Sequence, residues 1–459
     1  MGHPGGDGRS ALSTLDTPVT LPPARSARGV AGRLRDGLFV ETPARALQWW
    51  GAGLAVGGLL VGAAVSLARQ PGAGALRTVW AEDGSIFLSQ ATTRGALPAL
   101  AHSYGGYYHS VPRLLAGLAT LAPASAAPAI LAVEAAVCVA AVAVLGYFAS
   151  AGHLRSPLSR LLVAAVVVAV PVGQGEVLNS IANLHWYGLY ALFWVLVWVP
   201  RRPAARAVAV AVVVLVAASD ILVLAFVPLA LVRALRRDGT GRRDGHGVVL
   251  AGLLGAGLVL QLSGLLTGAS SRQVSASPVT AVTGYVSRAV PWGLLGERAV
   301  GPTGTARWAA MAALAWLLVA LAAGLAWARL TRPAWPLAVV AILHSAALYA
   351  LPVVLSGYAT PRYAVPAAML LVTALVALLQ PAGPGWARAP AYGLAVLLAL
   401  VWAVDLRVDN SRAHGPTWGD QLPAARQECG HSATAALAIP PRDTGARWQA
   451  VLKCDYLRR

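Results

Sequence analysis

WWGAGLAVGGLLVGAAVSLA, Trp49 to Ala68, is twenty residues long and holds no charged side chain. As a helix rising 1.5 Å per residue it reaches across the roughly 30 Å hydrocarbon core of a bilayer. Unpaired backbone polar groups are costly in hydrocarbon, so a spanning segment is either a helix or part of a closed barrel. The stretch has no period-2 alternation, which chooses the helix. The same texture recurs along the chain, which is 57% hydrophobic and 12% charged with a mean hydropathy of +0.63. A soluble domain carries about 25% charged residues. The fold class read from this is all-α, a polytopic transmembrane protein.

Upstream, residues 1–45 are rich in Gly, Pro and Arg and read as a flexible cytoplasmic tail. The first apolar segment lies too far in for a cleavable signal peptide. Arg25, Arg28, Arg33, Arg35 and Arg45 place this end inside by the positive-inside rule. Downstream, further spans are expected near residues 126–150, 161–173, 187–199, 248–266, 306–330, 335–355, 364–379 and 391–405. Residues 207–235 form either one overlong span or two short ones turning at Ser219 and Asp220. Arginines at both ends favour the turn, because a single span leaves Arg233, Arg236, Arg237, Arg242 and Arg243 outside. The total is about 11 spans, N-terminus in and C-terminus out. This layout puts 19 of 36 basic residues inside and 9 in external loops.

The resulting organisation is a tail (1–45), a membrane domain (46–405) with external loops 69–125 and 267–305, and a small extracytoplasmic tail (406–459). The net charge of +18 sits in short clusters between apolar runs, which argues topology and not nucleic acid. Lys453 is the sole lysine, and with abundant Ala, Gly and Pro it indicates a GC-rich genome. The expected location is the plasma membrane of such a bacterium.

The first external loop carries the most suggestive chemistry. WAEDGSIFL, Trp80 to Leu88, places Glu82 and Asp83 side by side soon after a span, flanked by Trp80 and Phe87. A partly desolvated carboxylate has a raised pKa and suits a general base toward a sugar hydroxyl. Two adjacent acids are equally a place for a divalent cation such as Mg or Mn, held by Glu82 and Asp83. The plain alternative is a solvated loop, with Asp83 capping a helix that begins at Gly84. Then YYHSVPRLL, Tyr107 to Leu115, sets His109, Pro112 and Arg113 at a helix start, with Ser110 as the expected N-cap. A helix N-terminus favours anions and a guanidinium fork matches phosphate oxygens.

Acids after the first span, an aromatic loop, and a His-x-x-Pro-Arg helix start together resemble the GT-C superfamily of integral-membrane glycosyltransferases. Protein O-mannosyltransferases are the nearest analogy, with an acidic pair followed by His-Pro-Pro and a basic residue. Here Glu-Asp stands for Asp-Glu, and Ser110-Val111-Pro112 departs from the double proline. The motif covers about forty residues. The resemblance implies Asp83, with Glu82, as the catalytic acid position. It also implies Arg113 as the basic residue near a lipid phosphate.

Other candidates follow along the chain. His109 joins Arg113 at the phosphate, and Arg362 in SGYATPRY, Ser356 to Tyr363, is another phosphate or sugar contact or part of an interfacial Tyr/Arg belt. Asn183, His185, Trp186 and Tyr107 are candidates for sugar or acceptor binding, although His185 and Trp186 are equally interfacial anchors. Asp220 reads as a turn residue. Glu134 and His344 fall inside spans without a nameable partner, and Cys138 reads as an inert core thiol. Cys429 and Cys454 lie in the external tail and are expected to form a disulfide. No P-loop or Cys/His metal spacing is present.

The function expected from all this is transfer of a sugar from a polyprenyl-phosphate donor to an extracytoplasmic glycan, lipid or protein. The chain has no soluble nucleotide-binding domain, which disfavours a nucleotide-sugar donor. The alternatives are a lipid or polysaccharide transporter or flippase, for which matching helix breaks in two halves are the mark, and a non-catalytic membrane scaffold.

Overall fold

The computed structural model of the chain describes residues 1–2, 32, 37–41, 49–237, 241–267, 277–442 and 447–459. Most of the expected N-terminal tail and residues 268–276 of the second external loop lie outside them.

The chain is mainly helical. The helices used below are α1 (Trp49–Ala68), α2 (Ser110–Ala119), α3 (Ala127–Ala149), α4 (Pro157–Ala169), α5 (Leu184–Val197), α6 (Pro203–Ala217), α7 (Val227–Ala234), α8 (Gly245–Thr267), α9 (Ala306–Trp327), α10 (Trp335–Ser356), α11 (Ala364–Leu378), α12 (Ala389–Val404) and α13 (Trp418–Glu428). Among the described residues, seven helical segments are long and apolar enough to cross a membrane: those of α1, α3, α8, α9, α10, α11 and α12. Four shorter apolar helices, 157–169, 184–197, 203–217 and 221–234, occupy the remaining expected segments. The last two are separated by a break at Ser219 and Asp220 and not by a continuous helix.

Helices that are apolar all round are either central or lipid-facing, and both kinds occur. Every residue of α11 is buried, as is nearly all of α5, so these two form the centre. α1, α8, α9 and α12 surround them with much of their apolar surface exposed. Small residues allow close approach of the backbones, as expected where packing rather than hydrophobic expulsion holds helices together. A Cβ at Gly62 on α1 falls 2.9 Å from the Ala140 Cβ of α3, and one at Gly257 on α8 falls 2.3 Å from that of Ala217 on α6.

Contacts sort the loops into two ends. At one end Glu41 pairs with Arg201 (2.6 Å) and with Arg236 (3.2 Å), so the chain between 201 and 236 leaves this end and comes back to it. The Leu38 carbonyl meets the His153 ring here (2.6 Å), and the Gln380 carbonyl accepts from the Arg332 N–H (2.9 Å). At the other end residues 69–113, 174–183, 297–298, 405–442 and 447–459 gather. Arg69, buried, donates to the Val168 and Val170 carbonyls and to that of Leu406, joining the ends of α1, α4 and α12.

The tail after α12 folds onto this second end as α13 and a two-stranded antiparallel hairpin. Strand β1 (Thr434–Ala438) pairs with β2 (Gln449–Lys453) in the register Thr434↔Lys453 to Ala438↔Gln449. Cys429 and Cys454 are joined by a disulfide across a separation of 25 residues. The inward residues Ala435, Leu437, Ala450 and Leu452 alternate with more exposed ones, as one buried face requires.

Candidate active site

The acids stand at the start of a helix that is underwound over Asp83–Leu88 into a π-helical turn, continuing as Ser89–Arg94. Such turns are rare and concentrate at functional sites. Gly84 permits this one: a Cβ there meets the Ile439 side chain at 2.7 Å and Ala450 at 3.3 Å, because the tail hairpin presses on the turn. Ser89 fastens the two together, its hydroxyl donating to the Gly84 carbonyl (2.7 Å) and accepting from the Val451 N–H (2.9 Å).

The two carboxylates have different surroundings. Asp83 is buried and accepts three hydrogen bonds from one loop: the Ser180 hydroxyl (3.0 Å), the Ile181 N–H (3.2 Å) and the Ala182 N–H (2.8 Å). Burial pushes its carboxyl up to about 7, against the pull of the Ala182 N–H, of Arg412 and of the Ser180 hydroxyl. Asp83 therefore neither caps the following helix nor lines the cavity beside it. Glu82 does line that cavity, and burial raises its pKa, with Arg362 opposing the rise. Of the two acids, Glu82 lines the cavity and Asp83 does not.

The cavity measures about 400 Å³. Around its polar part stand Glu82, Tyr107, His109, Asn183, His185, Trp186, Asp220 and Arg362, and its outer wall is apolar, with Leu224, Leu262, Leu265 and Leu355. His109 stacks against Tyr107 (4.2 Å between ring centres), and its Nε2 lies 3.2 Å from the Tyr104 carbonyl. His185 Nδ1 lies 2.7 Å from Asp220 Oδ2, while the other Asp220 oxygen accepts the Leu222 N–H (2.8 Å). A carboxylate on Nδ1 fixes the ring's orientation and leaves Nε2 as the free nitrogen. Asn183 accepts from the Trp186 indole (3.2 Å) and donates to the Glu176 carbonyl (3.0 Å), so the indole is held in place. Trp186, Tyr363 and Arg362 form a stack, with 5.5 Å between the two rings and the guanidinium 5.4 Å from the tyrosine ring; Arg362 also pairs with Glu176.

Two expected features lie elsewhere. Arg113 is buried away from the cavity, donating to Gln90 (2.6 Å) and lying over Phe87 (5.4 Å). Burial draws its guanidinium down to about 10. The π turn brings Phe87 and Gln90 over the first turn of α2, so Arg113 packs under the acidic helix and is not among the residues that line the cavity. Ser110 is the first helical residue and no cap: its hydroxyl donates to the Ala218 carbonyl (2.7 Å), tying α2 to the end of α6. Asp83 already accepts three bonds from the 180–182 loop, and of the two acids only Glu82 lines the cavity. Among the described residues no group of three or more His, Cys, Asp or Glu side chains is placed to hold a metal ion.

Sequence reasoning passed over Asp220 and Glu176 as parts of the site. The signal for Asp220 was its place at a break in an apolar run; nothing in the sequence linked it to His185, 35 residues away. Arg412, in the tail, was also missed. It is buried and donates to Thr78 Oγ1 (2.9 Å) and to the carbonyls of Leu178 (2.8 Å), Asn179 (3.2 Å), Thr78 (2.8 Å) and Ala75 (3.3 Å). It thereby ties the strand-like approach to Glu82 to the loop that receives Asp83.

No protein-family model matches the chain, and no curated protein is similar to it. Among solved structures, the fold is similar to the oligosaccharyltransferase of Archaeoglobus fulgidus, crystallised with an acceptor peptide containing the NVT sequon tethered through a disulfide bond. The identity is 13% and the TM-score 0.41, over 84% of this chain and 58% of that one. The chain thus spans somewhat over half the length of the archaeal transferase it is similar to.

Proposed function

We propose that this chain is a GT-C-type membrane glycosyltransferase that moves a sugar from a polyprenyl-phosphate donor to an extracytoplasmic acceptor. The observation that carries the reading is the composition of one cavity: a desolvated carboxylate (Glu82), a guanidinium (Arg362), an aromatic platform (Trp186, Tyr363) and a leucine wall. A sugar face stacks on aromatic rings, a phosphate needs a cation, and a polyprenyl chain needs an apolar exit. Leu224, Leu262, Leu265 and Leu355 are well exposed, so the apolar wall continues onto the surface that faces lipid in this proposal. In the same proposal all eleven apolar helices cross, the arginine-rich end is cytoplasmic, and the cavity is outside.

In this mechanism the acceptor hydroxyl gives its proton to Glu82 as its oxygen attacks the anomeric carbon. The bond from that carbon to the phosphate oxygen breaks on the opposite face, so the configuration inverts. Arg362 stabilises the charge on the departing lipid phosphate, with His109 beside it. Asp83 positions Glu82 by anchoring the turn to the 180–182 loop, and Asn183 and Trp186 hold the sugar. A divalent cation is no part of this scheme, and chelator treatment followed by Mg or Mn addition tests that directly.

The deciding experiment is transfer from a panel of radiolabelled polyprenyl-phosphate hexoses and pentoses in membranes carrying wild-type or Glu82→Gln protein at matched expression. General-base catalysis contributes about 10² to 10⁴-fold, and a loss in that range is expected. Full transfer by Glu82→Gln overturns the role given to Glu82.

A further inference from the structure

At the end opposite Glu82 a second, larger cavity of about 780 Å³ opens between three interhelical turns. Arg155 comes from the turn between α3 and α4, Arg332 from that between α9 and α10, and Arg388 from that between α11 and α12; all three line the cavity. All three guanidinium groups are exposed, and among the described residues none forms an ion pair or donates a side-chain hydrogen bond. Among the described residues that line the cavity there is no carboxylate. The floor is polar and fixed: Gln380 accepts from the Arg155 N–H (3.2 Å) while its carbonyl accepts from the Arg332 N–H (2.9 Å). Gln380 itself lies in the turn between α11 and α12, so these bonds hold all three arginine-bearing turns together whether or not anything occupies the space.

The depth of the cavity is marked by aromatic residues. Tyr392 lines it and is half exposed; Trp386, 93% exposed, stands two residues before Arg388, and Trp335 follows Pro333 and Ala334 of the lining. Exposed Trp and Tyr at helix ends sit at headgroup level. Basic pockets between helices at that depth are suited to anionic headgroups. Charge spacing for topology alone asks only that arginines lie on one side. It does not ask that three separate turns deliver them to one cleft whose described lining holds no acid.

We propose that this cavity binds the phosphate of an anionic membrane phospholipid, a site independent of the transfer site. Its chemistry is that of a phosphodiester, with the lipid's acyl chains lying along the exposed apolar faces of α9 and α12.

The test uses the full-length protein purified in neutral detergent. Thermal unfolding is followed while titrating phosphatidylglycerol, phosphatidylcholine or glycerol phosphate, on wild type and on the triple variant Arg155→Gln, Arg332→Gln, Arg388→Gln. Saturable stabilisation by phosphatidylglycerol, none by phosphatidylcholine, and competition by excess glycerol phosphate are expected. An arginine near a lipid surface is worth roughly fivefold in affinity, so the triple variant should bind phosphatidylglycerol about a hundredfold more weakly. The three side chains are exposed and unpaired, so the variant's unfolding without lipid should match wild type. Equal stabilisation by phosphatidylcholine, or an undiminished effect in the triple variant, overturns the proposal. Stabilisation by glycerol phosphate at the same concentration as the lipid also overturns it, in favour of a soluble phosphate. If the variant is unstable without lipid, single Arg→Gln variants are read by native mass spectrometry, and retention of bound phosphatidylglycerol in all three overturns the site.

Discussion

Glu82 and Asp83 are neighbours in sequence to which the proposed function gives separate duties, and substitution should separate them. Glu82→Gln keeps the side chain's shape and is expected to abolish transfer while leaving thermal unfolding unchanged. Asp83→Asn sets an amide N–H2 against a loop that offers only donors, so a buried donor loses its acceptor at a cost of about 1–3 kcal/mol. The expected result is a lowered Tm with a smaller loss of transfer. If Asp83→Asn is inactive at full stability, Asp83 and not Glu82 meets the acceptor. Because burial raises Glu82, the acid limb of the pH–rate profile should lie above the usual glutamate value of 4.5, with activity rising as pH rises through it. Asp83 also bears on stability: its carboxyl stands at about 7 in the folded chain against 3.8 ordinarily, so the native state holds the proton more tightly. That contribution is full below the ordinary value and is lost as pH rises through 7, so Tm should fall across this window in wild type and less so in Asp83→Asn. The tandem acids were visible in the sequence, but which of them lines the cavity was not. Consecutive residues on a helix point about 100° apart, and the sequence does not say which of the two directions is the cavity.

At the scale of elements, the hairpin between α6 and α7 was legible because charge counts both ends: arginines flank residues 207–235 on each side. The short helices were legible too, as apolar runs of 13 to 15 residues between turn residues. The tail was not, because its contacts to residues 75–89 and 178–179 reach across more than 200 positions and leave no local pattern. Its energetic weight is open to measurement. Closing a loop of 25 residues stabilises by roughly 3 kcal/mol in the chain-entropy model. Cys429→Ser or reduction should therefore loosen the hairpin, seen as faster proteolysis after residue 430 and reduced transfer, since β2 presses on the turn that carries Glu82. Retained activity with a freely cleaved tail would show that the turn holds itself. Arg412→Lys should be worse than its retained charge suggests, because an ammonium has three donors and no planar fork to meet carbonyls from two loops.

For the whole molecule, topology is the broadest expectation. Reporter fusions after Asp244 and at Arg459 should give cytoplasmic and external signals respectively. An external signal after Asp244 contradicts the shared partner of Arg201 and Arg236, and a cytoplasmic one at Arg459 removes the odd number of crossings. The membrane class followed from composition alone, since no soluble domain tolerates 12% charged residues with apolar runs of this length. Which loops meet over the cavity did not follow, because lipid-facing and central helices are both apolar all round and the sequence does not rank them by depth.

Arg412 has a consequence for biosynthesis. A polypeptide emerges from its amino end, and the loop at 78 waits 334 residues, the one at 179 waits 233, for the guanidinium that binds them to each other. A nascent or truncated chain that stops short of residue 412 lacks the five hydrogen bonds by which the guanidinium joins the loops of Thr78 and Asn179, and keeps between them only those of Asp83 to residues 180–182. Under the proposed function, a chain truncated before Arg412 should therefore transfer less than the full chain, because the loops that carry Glu82 and Asn183 lose one of the ties between them.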